Sequence, residues 1–96
     1  MITSKQRSYL RSLANKLNPI FQVGKDGIEA NFLKQIDEAL ESRELIKVSI
    51  LNNSEYGARE ASDEICSELG CEGVQSIGNK IVLYRKSKKN PRIELP

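Results

Sequence analysis

Histidine and tryptophan are both missing from the 96 residues, and there are only two cysteines, two phenylalanines and three tyrosines. Without histidine the chain lacks the commonest general base and the usual partner of a serine or cysteine nucleophile. Nor can any histidine or further cysteine complete a zinc set around Cys66 and Cys71. Two cysteines this close in sequence form no disulfide framework, and they read as small core residues. No apolar run approaches the ~20 residues that cross a bilayer. The opening Met-Ile-Thr-Ser-Lys-Gln-Arg has no apolar stretch behind its charges. These absences set the expectation of a cytoplasmic protein with no membrane contact, no metal, no cofactor and no enzymatic activity. The acids Asp37, Glu38, Glu41 and Glu44, then Glu60, Asp63, Glu64 and Glu68, fall mostly on the polar faces of two helical stretches and read as solvated charge.

What is present is an aliphatic core vocabulary, 39% hydrophobic against 29% charged, which suits one soluble domain at this length. The net charge of +2 conceals a strong asymmetry. Residues 1–25 carry five basic side chains and no acid, residues 26–79 four basic and twelve acidic, and residues 80–96 six basic and one acidic. A fold that brings the two ends together therefore has a basic side and an acidic side.

Hydrophobic periodicity sets out seven elements. Thr3 with Gln6 fits a capping box, and Leu10, Leu13, Ala14 and Leu17 recur at three- and four-residue steps, predicting a helix from Ser4 to Leu17 that stops at Asn18-Pro19. Ile20 to Val23 is a short strand. Ile28, Phe32, Ile36, Ala39 and Leu40 form one stripe of a second helix ending near Arg43. LIKVSIL, residues 45–51, alternates Ile46, Val48 and Ile50 against Lys47 and Ser49, a second strand. Asn53 or Ser54 caps a third helix with Ala58, Ala61, Ile65 and Leu69 inward and Gly70 at its end. Gly73–Ile77 and Lys80–Arg85 form a hairpin about Gly78-Asn79. The order αβαβαββ implies an α/β domain, a four-stranded mixed sheet with three helices packed on it. Its span is residues 1–86, and residues 87–96 are expected as a mobile basic tail.

The chemical lead is Gly24-Lys25-Asp26-Gly27, between a strand and a helix. Free amides at a helix start carry partial positive charge, glycines let a phosphate approach the backbone, and Lys25 adds a point charge. Such a loop suits a nucleic-acid backbone, as in domains whose GXXG loop clamps nucleotides, although a simple tight turn explains the four residues too. Arg7 and Arg11 lie four apart on one polar face of the first helix, and Arg85, Lys86, Lys88, Lys89 and Arg92 leave the last strand together. Lys47 and Ser49 are placed to look out from an open sheet face, joined by Gln22 or Tyr84. Tyr84 either stacks on a base or buries its ring.

"LRSLANKLNPIFQVGKDGI", "ALESRELIKVSI" and "VQSIGNKIVLYRK", in this order and at these separations, make the chain resemble the CRM domain (chloroplast RNA splicing and ribosome maturation) in its bacterial single-domain, YhbY-like form, from about Lys5 to Lys86. The resemblance implies a non-enzymatic RNA-binding module associated in bacteria with precursors of the large ribosomal subunit. It also implies a fold similar to the C-terminal domain of the bacterial initiation factor that guards subunit joining. RNA contacts carry over to Gly24, Lys25, Asp26 and Gly27, and more loosely to the basic residues of the first helix and of the last strand's end. Family members often have a small polar residue after the second glycine; here Ile28-Glu29 stands there, and Glu29 and Asp26 compete with phosphate for the same amides.

The expected function is thus an RNA-binding, monomeric assembly factor for the large subunit, holding rRNA with Arg7, Arg11, Gly24, Lys25, Asp26, Gly27, Lys47, Tyr84, Arg85, Lys86, Lys88 and Lys89. The rival is a protein-interaction module docking a basic ribosomal protein on Glu38, Glu41, Glu60 and Glu64.

Overall fold

The computed structural model describes residues 2–96; Met1, the first residue of the expected domain span, lies outside the described residues. The order of elements is the one periodicity predicts: α1 (Ser4–Ala14), β1 (Phe21–Val23), α2 (Ala30–Arg43), β2 (Leu45–Ile50), α3 (Ala58–Leu69), β3 (Glu72–Ile77) and β4 (Lys80–Tyr84). The sheet order is β1-β2-β4-β3. β1 pairs with β2 in parallel, and β4 lies antiparallel to both β2 and β3.

Strand parity divides the core in two. Val23, Ile46, Val48, Ile50, Ile81 and Leu83 face α2 and α3, where they meet Ile36, Leu40, Ala61 and Ile65. The alternate residues Leu45, Val82 and Tyr84, with Val74, face α1 and pack on Leu10 and Ala14. Each fully buried Leu or Ile contributes roughly 1.5–3 kcal/mol through apolar area removed from water, so both faces are needed in a chain this short.

Several boundaries differ from the sequence reading. α1 ends at Ala14, because Lys16 and Leu17 donate to Leu13 and Ala14 in a tightened last turn. Its capping box is present: the Thr3 hydroxyl accepts from the Gln6 amide at 3.1 Å, and Gln6 Oε1 accepts from the Thr3 amide at 2.9 Å. Neither Asn53 nor Ser54 caps α3. Gly57 does so, its N–H donating to Glu60 Oε1 at 3.2 Å, while the Ser54 hydroxyl accepts from the Tyr56 amide.

The largest difference concerns residues 87–96, expected to be mobile. Ser87 is buried, and Ile93 and Leu95 pack against the α1 side of the sheet. The anchor is Glu44, a fully buried carboxylate (0% exposed) between α2 and β2. Its Oε2 accepts from the Ser87 amide at 2.8 Å, and its Oε1 accepts from the amides of Arg92 at 2.7 Å and Ile93 at 2.8 Å. Glu41, one turn back on α2, accepts from the Ser87 hydroxyl and from the amides of Lys88 and Lys89 at 2.7–3.1 Å. The composition of this segment is polar enough for disorder, but two carboxylates supply partners for six of its backbone and side-chain donors. The structure thus docks this segment on the domain.

The same bonds move both acids. The amides of Lys88 and Lys89 and the Ser87 hydroxyl hold the Glu41 carboxyl down at about 2. For Glu44, burial pushes the carboxyl up, but the amides of Ser87, Ile93 and Arg92 and the charge of Lys86 outweigh it and hold the group below the usual range. Both groups bind a proton less readily folded than unfolded, so their contribution is fully present above the unfolded value of 4.5 and is lost as pH falls below it, for Glu41 as pH approaches about 2. Backbone amide signals of Ser87, Lys88 and Arg92 should lose their dispersion across that acid window before the sheet melts. Glu44→Ala should cost about 3 kcal/mol in chemical unfolding and make the C-terminal segment a ready protease target at neutral pH.

Candidate nucleic-acid interface

The glycine loop is a hydrogen-bonded turn: the Gly27 N–H donates to the Gly24 carbonyl at 3.0 Å. Gly27 has φ +72, where a side chain is strained, and Gly24 is so close to Leu51 that a Cβ would lie 3.3 Å from its Cδ1. The two positions thus need glycine for different reasons, one for a backbone angle and the other for a close approach. Lys25 and Asp26 at the tip are exposed. Beside them is a groove of about 250 Å³ whose walls include Gln22, Glu29 and Phe32. α2 begins only at Ala30, with Glu29 at its N-cap and no side-chain hydrogen bond to the cap. The turn is therefore separated from the helix start by Ile28, which packs on the core, and by Glu29. In this groove one lysine faces two acids, Asp26 and Glu29.

The other expected contact residues go to different places. Arg7 reaches over the sheet edge and donates to the carbonyls of Gly73 and Val74, at an irregularity in the register of β3. Arg7 thus closes an exposed strand edge, and β3 lies at the opposite side of the sheet from β1 and its glycine turn. Arg11 remains exposed. Tyr84 is 5% exposed and packs in the α1 cluster, so its ring is not presented for stacking. Burial pushes its hydroxyl up, and the charge of Glu44 adds to that. Ser49 is also buried, so only half-buried Lys47 and exposed Gln22 keep the expected outward disposition.

Arg85 is turned inward. One guanidinium nitrogen donates to Asp37 Oδ1 at 2.6 Å and to the Leu69 carbonyl at 3.1 Å, and the other donates to the Asp37 carbonyl at 3.0 Å. Its side chain is 16% exposed, and it ties the last strand to α2 and α3. Tyr84 and Arg85 therefore have structural partners in this fold and are not presented outward as the sequence suggests. Lys86, Lys88 and Lys89 stay exposed, the last two fixed at the C-terminal end of α2 by their backbone bonds to Glu41.

Two features escaped the sequence reading. Glu44 and Glu41 organise the C-terminal lysines across more than forty residues of sequence, and nothing local marks that pairing. A groove of about 300 Å³ at the start of β1 also gathers Lys16, Arg43 and Lys47. The signal was legible only in part, in Arg43 at the end of a helix stripe and Lys16 just past one. Cys66 and Cys71 are free thiols with their sulfurs 3.4 Å apart, and among the described residues no cluster of three or more His, Cys, Asp or Glu is placed to hold a metal.

This arrangement, an open αβαβαββ sheet with exposed cations at both ends of its edge strand, meets known proteins at full length. The family model of the CRS1 / YhbY (CRM) domain matches residues 2–85. The chain belongs to that family. It is 53% identical over 96 residues to "Probable RNA-binding protein YqeI" of Bacillus subtilis, covering both chains completely. It is 35% identical over 95 residues to a Haemophilus influenzae protein named "RNA-binding protein", covering 99% of this chain and 95% of that one. The solution structure of a hypothetical protein from Staphylococcus aureus, 51% identical, superposes with a TM-score of 0.74 over the whole of both chains.

Replacing Arg85 tests its structural role in this CRM domain. Arg85→Ala removes three donated bonds and should cost about 1–3 kcal/mol of stability, as read from melting curves of the variant and the unmodified protein.

Proposed function

We propose that this CRM domain binds RNA as a non-enzymatic factor in assembly of the large ribosomal subunit, acting in the cytoplasm as a monomer and without a cofactor. The observation that carries the reading is the outward set of lysines. Lys25 stands at the tip of the glycine turn, Lys47 on the sheet face, and Lys88 and Lys89 on the docked C-terminal segment. Cations of this kind fix position on a phosphate backbone, and the shape of structured rRNA supplies selectivity. Gly24 and Gly27 let the turn close against Leu51 and Tyr56 with Lys25 at its exposed tip, while Asp26 and Glu29 limit how much of the affinity comes from there.

The acidic helix faces favour a protein partner less than their sequence suggests. Glu41 is bound to the C-terminal segment and Glu60 to the start of its own helix. Relatives named for RNA binding weigh in the same direction.

The logarithm of affinity for a large-subunit rRNA fragment should fall linearly with the logarithm of salt concentration. Lys25→Ala combined with Lys88→Ala should flatten that line by about 1.4 to 1.8, since each phosphate contact contributes about 0.7 to 0.9. A flat line for the unmodified protein, or ribosomal material that co-purifies equally well after ribonuclease treatment, would turn the reading towards a protein partner.

A further inference from the structure

We propose that the groove formed by Lys16, Leu17, Asn18, Ile20, Arg43 and Lys47 is a second RNA-contact site, taking a backbone phosphate on its three cations and the adjoining sugar or base on its apolar floor. The proposal rests on the RNA-binding reading and adds to it a site at the opposite end of β1 from the glycine turn.

Three observations converge there. The first is charge. Three cations and no acid line this groove, whereas the groove at the glycine turn has Lys25 against Asp26 and Glu29, and the one beside Arg7 and Arg59 includes Asp63. Among the described residues the single ion pair is Arg85–Asp37, so Lys16, Arg43 and Lys47 have no carboxylate within salt-bridge distance. Unopposed cations converging on one concavity focus positive potential and favour a polyanion.

The second is construction. Each cation is set by a different element: Lys16 by the tightened last turn of α1, Arg43 by the last turn of α2, and Lys47 by the middle of β2. The Ile20 N–H donates to the Lys47 carbonyl at 3.0 Å, which holds the α1–β1 connection against β2 and fixes the groove's width. Ile20 is 39% exposed, an apolar surface in the middle of a cationic site. An acidic peptide would need only the charges. A nucleotide uses the apolar surface as well, and Asn18 offers both a donor and an acceptor to a base edge.

The third is alignment. Ile20 and Gly24 flank the three residues of edge strand β1, roughly 13 Å apart along the chain. Exposed Gln22 lies midway, in the wall of the glycine-turn groove. One extended RNA segment lying along β1 reaches both grooves.

The test uses the full chain and a single-stranded oligouridylate of about eight nucleotides, within the span that small single-strand-binding folds cover. Lys16→Gln with Lys47→Gln should weaken binding about tenfold near 0.1 M salt and reduce the salt slope by about 1.4. Lys16→Arg with Lys47→Arg should restore both, and an unchanged amide spectrum outside the groove shows that the fold is kept. In the unmodified protein the amides of residues 16–20 and 47 should shift on adding the oligonucleotide, and combining the groove pair with Lys25→Ala should add the two slope changes. If the groove pair binds like the unmodified protein while Lys25→Ala binds weakly, the groove assignment is overturned and the RNA-binding reading stands. Absence of any salt-dependent binding by the unmodified chain overturns both. Equal shifts of the same amides by polyglutamate overturn the assignment to RNA.

Discussion

Glu44 is the constraint on which the arrangement of this domain turns. Its carboxylate is fully buried, and its backbone sits at φ 67, the one positive φ among the described non-glycine residues. Each is costly by itself: a buried carboxylate without partners is strongly disfavoured, and such a backbone angle costs on the order of 1–3 kcal/mol. Both persist because three amides, of Ser87, Arg92 and Ile93, converge on the carboxylate. The backbone of the same residue joins in: its N–H donates to the Leu40 carbonyl as α2 ends, and its carbonyl accepts from the Arg85 amide. One residue thus ends a helix, starts a strand, and fastens the C-terminal segment.

Much of the surface chemistry follows from that fastening. Held by Glu44 and Glu41, the C-terminal segment covers the α1 side of the sheet with Ile93 and Leu95 and sets Lys88 and Lys89 at the C-terminal end of α2. A helix C-terminus carries partial negative charge, so cations gathered there are stabilised. Arg43 stands at the same end and Lys16 across the groove from it. The acids that seemed to oppose the basic ends of the chain are partly internal. Glu41, Glu44 and Asp37 are engaged by backbone amides and by Arg85, and they leave the side chains of Lys88 and Lys89 facing water.

The element order was legible because it is a local property. Alternation in LIKVSIL and the three-four spacing of Leu10, Leu13 and Ala14 need only neighbours within a few residues, and so does the Thr3–Gln6 cap. The role of Arg85 was not legible, since its partners Asp37 and Leu69 come from two other elements and a basic residue at a strand end looks the same whether it points out or in. Tyr84 shows the same limit. Parity put it on the face opposite Leu83, but only the packing of α1 decides that this face is closed at Tyr84 and open at Gln22. The docking of the C-terminal segment was not legible for the converse reason: Ile93 and Leu95 are its few apolar residues, and the acids that hold it lie some 43 to 49 residues earlier.

Charge counted along the chain is therefore a poor guide to charge available on the surface. Arg7 and Arg85 belong to the basic ends, yet both donate to backbone carbonyls and hold strands in place. Lys16 and Arg43, one in a basic stretch and one in an acidic stretch, share a groove that holds no acid. With a net charge of only +2, long-range attraction to a polyanion is weak, and the proposed RNA binding rests on local concentrations of positive potential with fixed geometry. Arginine at bonded structural positions and lysine at the rim fit that division. A guanidinium satisfies several carbonyls at once, whereas a flexible ammonium adapts to phosphates whose positions vary along an RNA strand. The sheet edge at β1, with cations at both ends and Gln22 between them, is where that local potential and an open surface coincide.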